Sequence, residues 1–372
     1  MRIINKILTV SILSLMAIVP LAGVTTTNTD TIISSENRKI FPFPTEVKHC
    51  LKNFSKYLDD RYFGKLFISE RFSHFYDDNV GGFSPDIFSV PGVNGWRFLG
   101  NSHSRVYDQH SIYLPLNNFS LNSLEKKLFE LSQFNKNFYV FVGPDKASIY
   151  PENMKKEFMY PGRYRYFNQV KNKLTQSGYR VIDPRDELIK EKKQSQLYYK
   201  QDTHWNPYGA YIGYKVLMSS ISHEQLNTTN ELAIISTQND CGDLCTNGST
   251  SAARDSYFST IKQEKSIDLD CGIPGKSAAS ASMCPVSIYS ACDNSYQSFS
   301  IIQNNNALNK KSLMIIGDSF SEALSQFLVP SFSKIIFIHK TFFDHKYEKA
   351  KEIIQNNKTD FLLYESVERD FY

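Results

Sequence analysis

The chain has 372 residues, of which 41% are hydrophobic and 22% charged, a composition typical of a folded globular protein and not of a disordered or collagen-like one. Its 42 lysines and arginines nearly balance 38 aspartates and glutamates, so the net charge of +4 provides no strong attraction to nucleic acid. We therefore expect no nucleic-acid partner. The length fits two domains or one large α/β domain with insertions, at roughly 150 residues per domain.

The N-terminal segment has the layout of an export signal. Arg2 and Lys6 precede an apolar stretch that runs from Ile7 to Val24, and a polar stretch follows it. Residues 1–24 are predicted to be a signal peptide or, if uncleaved, an anchor in the inner membrane. The predicted location is the periplasm or another compartment outside the cytosol.

The predicted location makes the cysteines candidates for disulfides, because thiols outside the cytosol are normally oxidised. One cysteine stands alone and five cluster in a stretch rich in small polar residues. The six candidates for disulfides are Cys50, Cys241, Cys245, Cys271, Cys284 and Cys292. If all six pair, at least one bridge joins the N-terminal part to the cluster. No two close pairs have zinc-site spacing, so we expect no metal.

Residues 25–95 are polar and aromatic and are predicted to be an N-terminal lead-in that packs on the main domain. Helical spacing is present over residues 47–66 and 66–75. A turn-rich stretch at 91–95 then leads into a short hairpin-like segment at 96–99. The main domain is predicted to begin at Trp96 and to continue to residue 372.

Helices and strands alternate through the main domain. Apolar spacing predicts helices over residues 121–134, 164–177, 321–328 and 347–356. Short apolar runs predict strands over residues 138–142, 180–182, 313–316, 335–338 and 361–364. This alternation predicts an α/β fold with a mostly parallel sheet flanked by helices. Residues 241–309 lose the periodicity and are interpreted as a cysteine-rich insertion.

A candidate nucleophile lies in the stretch Gly317-Asp318-Ser319-Phe320-Ser321. It follows an apolar strand and precedes an amphipathic helix, which would place the Ser319 hydroxyl at the edge of the sheet near a helix N-terminus. Free backbone N–H groups there could stabilise an oxyanion. The alternative is that Ser319 only caps the helix.

A candidate base and its partner lie in Asp202-Thr203-His204-Trp205. In an extended segment, residues two apart face the same way, so Asp202 could orient His204 as a general base toward a serine. The alternatives are a structural histidine in a helix-capping region and a metal pair. The other histidines, including His110 and His339, are interpreted as surface or packing residues.

With these motifs in place, the sequence resembles the SGNH-hydrolase-like polysaccharide O-acetyltransferases of the alginate O-acetyltransferase AlgJ/AlgX type. The specific matches are Asp202 to Trp205 and Gly317 to Ser321. Weaker matches follow in chain order, among them Gly95 to Phe98, Pro144 to Lys146, Ile149 to Pro151, Gly242 to Leu244 and Glu368-Arg369. The resemblance implies that Ser319 is the acyl-accepting nucleophile, His204 its base and Asp202 the residue that orients His204.

The resemblance also implies an acetyl transfer onto hydroxyls of an exported polysaccharide, without a cofactor. The acetyl donor is expected to be supplied by a membrane-bound acyltransferase partner. Lys146 and the aromatic residues Trp205, Tyr208 and Tyr150 are candidates for contact with the sugar, and the aromatics are otherwise packing residues. An acetyl esterase with the same triad and a non-catalytic glycan-binding protein are the alternative functions.

Overall fold

A computed structural model describes residues 88–154, 166–221, 242–244 and 299–372, together with the backbone of several short strands between and before these ranges. The predicted lead-in helices over 47–75, His223 and all six cysteines lie outside the described residues. Among the helices of the described ranges, none combines the length and the apolar character needed to cross a lipid bilayer.

The described part of the chain forms thirteen strands, numbered in chain order. The strands are β1 Ile32–Ile33, β2 Arg38–Lys39, β3 Ser89–Pro91, β4 Arg97–Leu99, β5 Phe138–Gly143, β6 Val181–Ile182, β7 Ala233–Ile235, β8 Phe258–Thr260, β9 Asp268–Asp270, β10 Phe299–Gln303, β11 Asn309–Gly317, β12 Phe332–His339 and β13 Phe361–Val367.

The helices of the described residues are numbered in the same way. They are α1 Val106–Ser111, α2 Asn118–Ser132, α3 Lys146–Ile149, α4 Tyr166–Gln176, α5 Arg185–Glu191, α6 Pro207–Ile221, α7 Ser319–Ser331, α8 Lys340–His345 and α9 Tyr347–Asn356. Two 3₁₀ turns span Pro151–Asn153 and Glu368–Phe371.

The central sheet has seven strands in the order β6-β5-β13-β11-β12-β10-β9. The strands from β6 to β12 in this order pair in parallel, and β10 and β9 extend one edge with antiparallel pairing. The predicted α/β fold with a mostly parallel sheet is confirmed. Strands β9 and β10 fall within the predicted insertion of residues 241–309, so part of that stretch belongs to the sheet.

Both faces of the sheet are covered, because its central strands alternate between two apolar clusters. Leu313 and Ile315 of β11 join a cluster that includes α6 and α7, whereas Met314 and Ile316 join one that includes α2, α4 and α9. A strand buried on both sides has a continuous apolar run. The interpretation of residues 313–316 as a buried strand is therefore confirmed.

Helices α6 and α7 pack through aromatic rings. The Phe327 ring centroid lies 5.3 Å from Tyr211 and 5.6 Å from Tyr214, and the Tyr214 hydroxyl lies 2.6 Å from the Ser331 hydroxyl. Trp205, just before α6, lies 5.1 Å from Phe320 in the first turn of α7. These contacts matter for the site because the residues before α6 and at the start of α7 meet at the carboxyl ends of the strands.

The predicted hairpin-like segment is also present. Strand β3 pairs with β4 in an antiparallel register, and the connecting turn contains Asn94 and Gly95 with φ of 55° and 79°. Glycine tolerates this left-handed region and asparagine adopts it more readily than most residues, which is why such residues favour tight turns. The hairpin packs beside the loop that carries His204, since the Arg97 N–H donates to the Lys200 carbonyl.

Candidate active site

Ser319 is the first residue of α7, directly after strand β11 and the connecting residue Asp318. The Asp318 side chain caps the helix by accepting the Phe320 N–H at 3.0 Å. The alternative that Ser319 is the cap is therefore wrong. With that role filled by Asp318, the Ser319 hydroxyl is available to another partner.

That partner is His204. Its Nε2 lies 2.8 Å from Ser319 Oγ, and its Nδ1 lies 2.7 Å from Asp202 Oδ1. The geometry assigns the Nδ1 proton to the hydrogen bond with Asp202 and leaves the Nε2 lone pair facing the serine hydroxyl. The three residues named by the sequence are thus brought together, and both Ser319 and His204 remain partly exposed to solvent.

The loop that carries Asp202 and His204 is a tight turn and not the extended segment that the sequence analysis assumed. An isolated antiparallel bridge between Tyr198 and Trp205 closes it. Asp202 Oδ1 also accepts the backbone N–H of His204 at 2.9 Å, the hydrogen bond that short acidic side chains form in turns. The two side chains face each other because of this turn and not because of strand alternation.

The acid and the base shift each other's protonation. Burial raises the pKa of Asp202, but the hydrogen bonds and charge of His204 outweigh it, and this pKa falls to about 2. Burial lowers the pKa of His204, while the hydrogen bond and charge of Asp202 raise it above its usual value. A neutral histidine next to a fixed carboxylate is the arrangement that general-base catalysis requires.

Asp243 is a second carboxylate beside this pair, and the sequence analysis gave it no role. Its side chain accepts the Thr203 N–H at 2.7 Å and the Thr203 hydroxyl at 2.6 Å, and its own N–H donates to Asp202 Oδ2 at 3.2 Å. Burial and the charge of Asp202 raise the pKa of Asp243. The sequence did contain a signal for Asp243, because Gly242 to Leu244 is one of the weaker matches to the AlgJ/AlgX type.

Asp243 also bears on the metal alternative, because Asp202, His204 and Asp243 offer ligand atoms within 4.8 Å of one another. A bound cation would compete for atoms that already have partners. Asp202 Oδ1 accepts from His204, Asp243 Oδ2 accepts from Thr203, and His204 Nε2 faces Ser319. This arrangement favours a relay to the serine over a metal centre.

Lys146 supports the turn between Tyr198 and Trp205, which carries Asp202 and His204. Its Nζ donates to the carbonyls of Tyr199 at 3.1 Å, Lys200 at 2.8 Å and Asp202 at 2.7 Å, and the side chain is buried. An ammonium group has three protons, and these three bonds use them all. The structure thus replaces the predicted sugar contact of Lys146 with a positioning role.

The three candidate aromatic residues differ in exposure. Trp205 is 1% exposed and packs on Phe320, and Tyr150 is 6% exposed with its hydroxyl accepting the Leu197 N–H. These two are packing residues. Tyr208 is only partly buried, at the start of α6, and its contact with a sugar stays a prediction.

His110 and His339 are buried, as one of their interpretations required. His339 caps α8 by accepting the Thr341 N–H. His110 Nε2 lies 3.4 Å from Asp145 Oδ2, a partner that the sequence analysis missed, and Arg369 Nη1 donates to the other oxygen of Asp145 at 2.6 Å. His110 and Asp145 line a small cavity together with Thr203 and Arg369.

Part of this arrangement, including Asp202 and His204, lies in a region that is similar to a known family. Residues 90–257 match the family model of the SGNH hydrolase-like domain of the acetyltransferase AlgX. A search of the curated proteins gave no significant match.

Two solved structures with TM-scores above 0.5 share the fold. Bacillus cereus PatB1 with a sulfonyl adduct is 18% identical, with a TM-score of 0.55 over 77% of this chain and 95% of that chain. A DHHW family protein from Eubacterium siraeum is 19% identical, with a TM-score of 0.52 over 76% of this chain and 94% of that chain. The O-acetyltransferase domain of Pseudomonas putida AlgJ is 16% identical, with a TM-score of 0.46 over 76% of this chain and 91% of that chain.

The resemblance seen in the sequence is thus confirmed. Residues 90–257 are similar to the SGNH hydrolase-like domain of the acetyltransferase AlgX, and the mostly parallel α/β sheet agrees with that likeness.

Proposed function

We propose that this protein is an O-acetyltransferase that moves an acetyl group onto hydroxyls of an exported or cell-surface polysaccharide through an acetyl-serine intermediate. The observation that carries the proposal is the 2.8 Å contact between His204 Nε2 and Ser319 Oγ, with Asp202 bound to the other ring nitrogen. The match to the AlgX acetyltransferase domain supports an acetyl group as the acyl group transferred.

In the first step, Ser319 Oγ attacks the acetyl carbonyl carbon while His204 Nε2 takes the hydroxyl proton. Collapse of the tetrahedral intermediate expels the donor's leaving group, which receives that proton. In the second step, His204 takes a proton from a sugar hydroxyl, whose oxygen attacks the acetyl-serine. The sugar ester forms, and the proton returns to Ser319 Oγ.

The start of α7 favours the negative charge that develops in both steps. The first amides of a helix lack carbonyl partners within the helix, and the helix dipole is positive at this end. Ser319 lies in this first turn, so its own backbone N–H can donate to the oxyanion. The same geometry orients the serine hydroxyl toward His204.

The supply of acetyl groups is part of the proposal. An exported enzyme has no access to cytosolic acyl donors, and we propose that a membrane-bound acyltransferase partner delivers the acetyl group. The export signal predicted for residues 1–24 supports this location. No cofactor enters either step.

An acetyl esterase is the second candidate, and one observation favours it. Ser319 and His204 are both partly exposed, so water can reach the acetyl-serine in place of a sugar hydroxyl. Transfer and hydrolysis share the first step and differ only in the acceptor of the second.

The test uses the purified protein, a chromogenic acetyl ester and an oligosaccharide acceptor. We expect release of the chromophore and acetylated oligosaccharide by mass spectrometry, and loss of both with Ser319→Ala or His204→Ala by about 10³-fold or more. Ser325→Ala is the matched control, because Ser325 lies on the same helix and its hydroxyl donates to the Glu322 carbonyl within that helix.

The products separate the candidates. Acetylated sugar supports the transferase, and acetate with no acetylated sugar supports the esterase. Full activity of Ser319→Ala would show that the catalytic assignment is wrong. An inactive wild-type protein that still binds the oligosaccharide would favour a glycan-binding role.

A further inference from the structure

A carboxyl group is buried directly beneath the turn that carries Ser319. It belongs to Glu365 of β13, the strand that pairs in parallel with β11 and places Tyr364 opposite Ile316. Glu365 therefore lies level with the last residue of β11, at the edge of the sheet where the nucleophile turn begins. Its side chain is fully buried, and a glutamate is almost never fully buried unless its carboxyl group has a partner.

Glu365 connects the two sides of the nucleophile. Its Oε2 accepts the Asp318 N–H at 2.9 Å and the Ser321 hydroxyl at 2.5 Å. Asp318 comes directly before Ser319 in the chain, and Ser321 comes two residues after it. One oxygen atom thus fixes the chain both before and after the reactive serine.

The same contact explains why the Gly317-to-Ser321 motif has a glycine at position 317 and a serine at position 321. A Cβ atom at position 317 would collide with the Ser321 hydroxyl and would lie 2.8 Å from Glu365 Oε2. Because Gly317 has no side chain, there is space for the Ser321 hydroxyl to contact the Glu365 carboxyl group. Neither residue contacts a reacting atom, so their role is in the shape of the turn.

The surroundings of Glu365 favour its neutral form. Its Oε1 is buried and has no hydrogen-bond partner within the described part of the chain. A buried carboxylate oxygen without a partner is far costlier than a neutral carboxyl oxygen in the same place. Burial and the charge of Asp318 raise the pKa of Glu365 well above its usual value, although Lys340, which also pairs with Asp370, opposes the shift.

We propose that Glu365 is a positioning residue for the nucleophile, and that it works as a neutral carboxyl bridging Asp318 and Ser321. Ionisation would place a negative charge under the helix N-terminus where the oxyanion forms, and would slow attack by Ser319. The inference rests on the proposed role of Ser319 as the nucleophile. It assigns to Glu365 an alkaline limit of activity that the triad alone does not give.

The test measures the rate at which phenylmethanesulfonyl fluoride labels Ser319, located by mass spectrometry, from mildly acidic to alkaline pH. We expect the wild-type rate to rise as His204 becomes neutral and to fall again at alkaline pH. Glu365→Gln keeps a neutral group of the same shape, so it should react within about twofold of the wild type at neutral pH and should not fall at alkaline pH. Ser321→Ala removes the bridge and should react about tenfold more slowly.

Asp360→Asn is the matched control. Asp360, at the other end of the sheet, accepts the Ser312 N–H at 2.8 Å and the Ser312 hydroxyl at 2.7 Å, the same pair of bonds made far from the nucleophile. Its pH profile should match the wild type.

The proposal is overturned if the wild-type rate does not fall at alkaline pH, if Glu365→Gln shares that fall, or if Ser321→Ala reacts as fast as the wild type. Absence of any label on wild-type Ser319 is a different result. It would count against Ser319 as the nucleophile and hence against the proposed function.

Discussion

At the scale of single residues, the proposed mechanism gives Asp202, the acid beside His204, control of both the rate and its dependence on pH. His204 acts as a base only when neutral, and the hydrogen bond and charge of Asp202 raise its pKa. Activity should therefore rise with pH through the pKa of His204. Removing the charge at Asp202 should move this rise to lower pH.

We expect Asp202→Asn to lower kcat/KM by about 10³ to 10⁴-fold, because an amide no longer holds the imidazole proton on Nδ1. The measurement is kcat/KM for a chromogenic acetyl ester as a function of pH. A variant that keeps the wild-type rate would show that Asp202 does not orient the base.

Asp243→Asn should behave differently. Asp243 Oδ2 lies 3.8 Å from His204 Nδ1 and adds to the charge that raises the pKa of His204. The amide oxygen can still accept the Thr203 N–H, and the Thr203 hydroxyl can accept from the amide NH₂ group. We therefore expect a rate loss of only about tenfold, with the rise in activity again at lower pH. A loss as large as that of Asp202→Asn would mean that Asp243, and not Asp202, is the principal partner of the base.

At the scale of elements, the catalytic turn between Tyr198 and Trp205 has little regular hydrogen bonding of its own and depends on its supports. Lys146, at the start of α3, binds three of its carbonyls. The sequence could not show this role, because a lysine that follows a strand can bind either a ligand or backbone carbonyls, and the sequence does not distinguish the two. The prediction of an extended segment failed for a related reason, since a side-chain hydrogen bond from Asp202 closes the turn locally.

Lys146→Met tests the support. Methionine fills similar volume but removes the ammonium donor from three carbonyls, of which that of Lys200 keeps the Arg97 N–H. We therefore expect the free energy of unfolding to fall by roughly 1 to 3 kcal/mol in urea denaturation, with loss of esterase activity. Lys127→Met is the control, because Lys127 forms a surface pair with Asp344. Surface pairs contribute little, and that variant should change stability by less than about 1 kcal/mol. Equal effects of the two substitutions would contradict the support role.

At the scale of the whole molecule, the sequence predicted most of the sheet and the triad but not what surrounds the triad. Buried parallel strands such as β11 have continuous apolar runs that are easy to identify. Strand β13 was predicted to end at Tyr364 because Glu365 and Ser366 interrupt its apolar run, although both are buried and the strand continues to Val367. The burial of a polar residue can be predicted only when its hydrogen-bond partners are known, and these partners come from distant parts of the chain.

An experiment on the whole protein can distinguish a Ser319-His204-Asp202 triad from a metal centre. If the site works as a relay, prolonged treatment with a strong chelator should leave acetyl-ester hydrolysis within about twofold of the untreated protein. Loss of activity that returns on adding a divalent cation would favour a metal held by Asp202, His204 and Asp243.

The aromatic packing between α6 and α7 has a consequence for how the enzyme loses activity. The base precedes one of these helices and the nucleophile opens the other, so the separation of His204 and Ser319 depends on how closely Phe327 packs against Tyr211 and Tyr214. A void in this interior layer, far from any substrate, would widen a gap that tolerates little change. Heat or a core substitution there would then abolish turnover while the sheet is still folded. The catalytic rate should therefore report damage to this interface at lower temperature than thermal unfolding followed by spectroscopy.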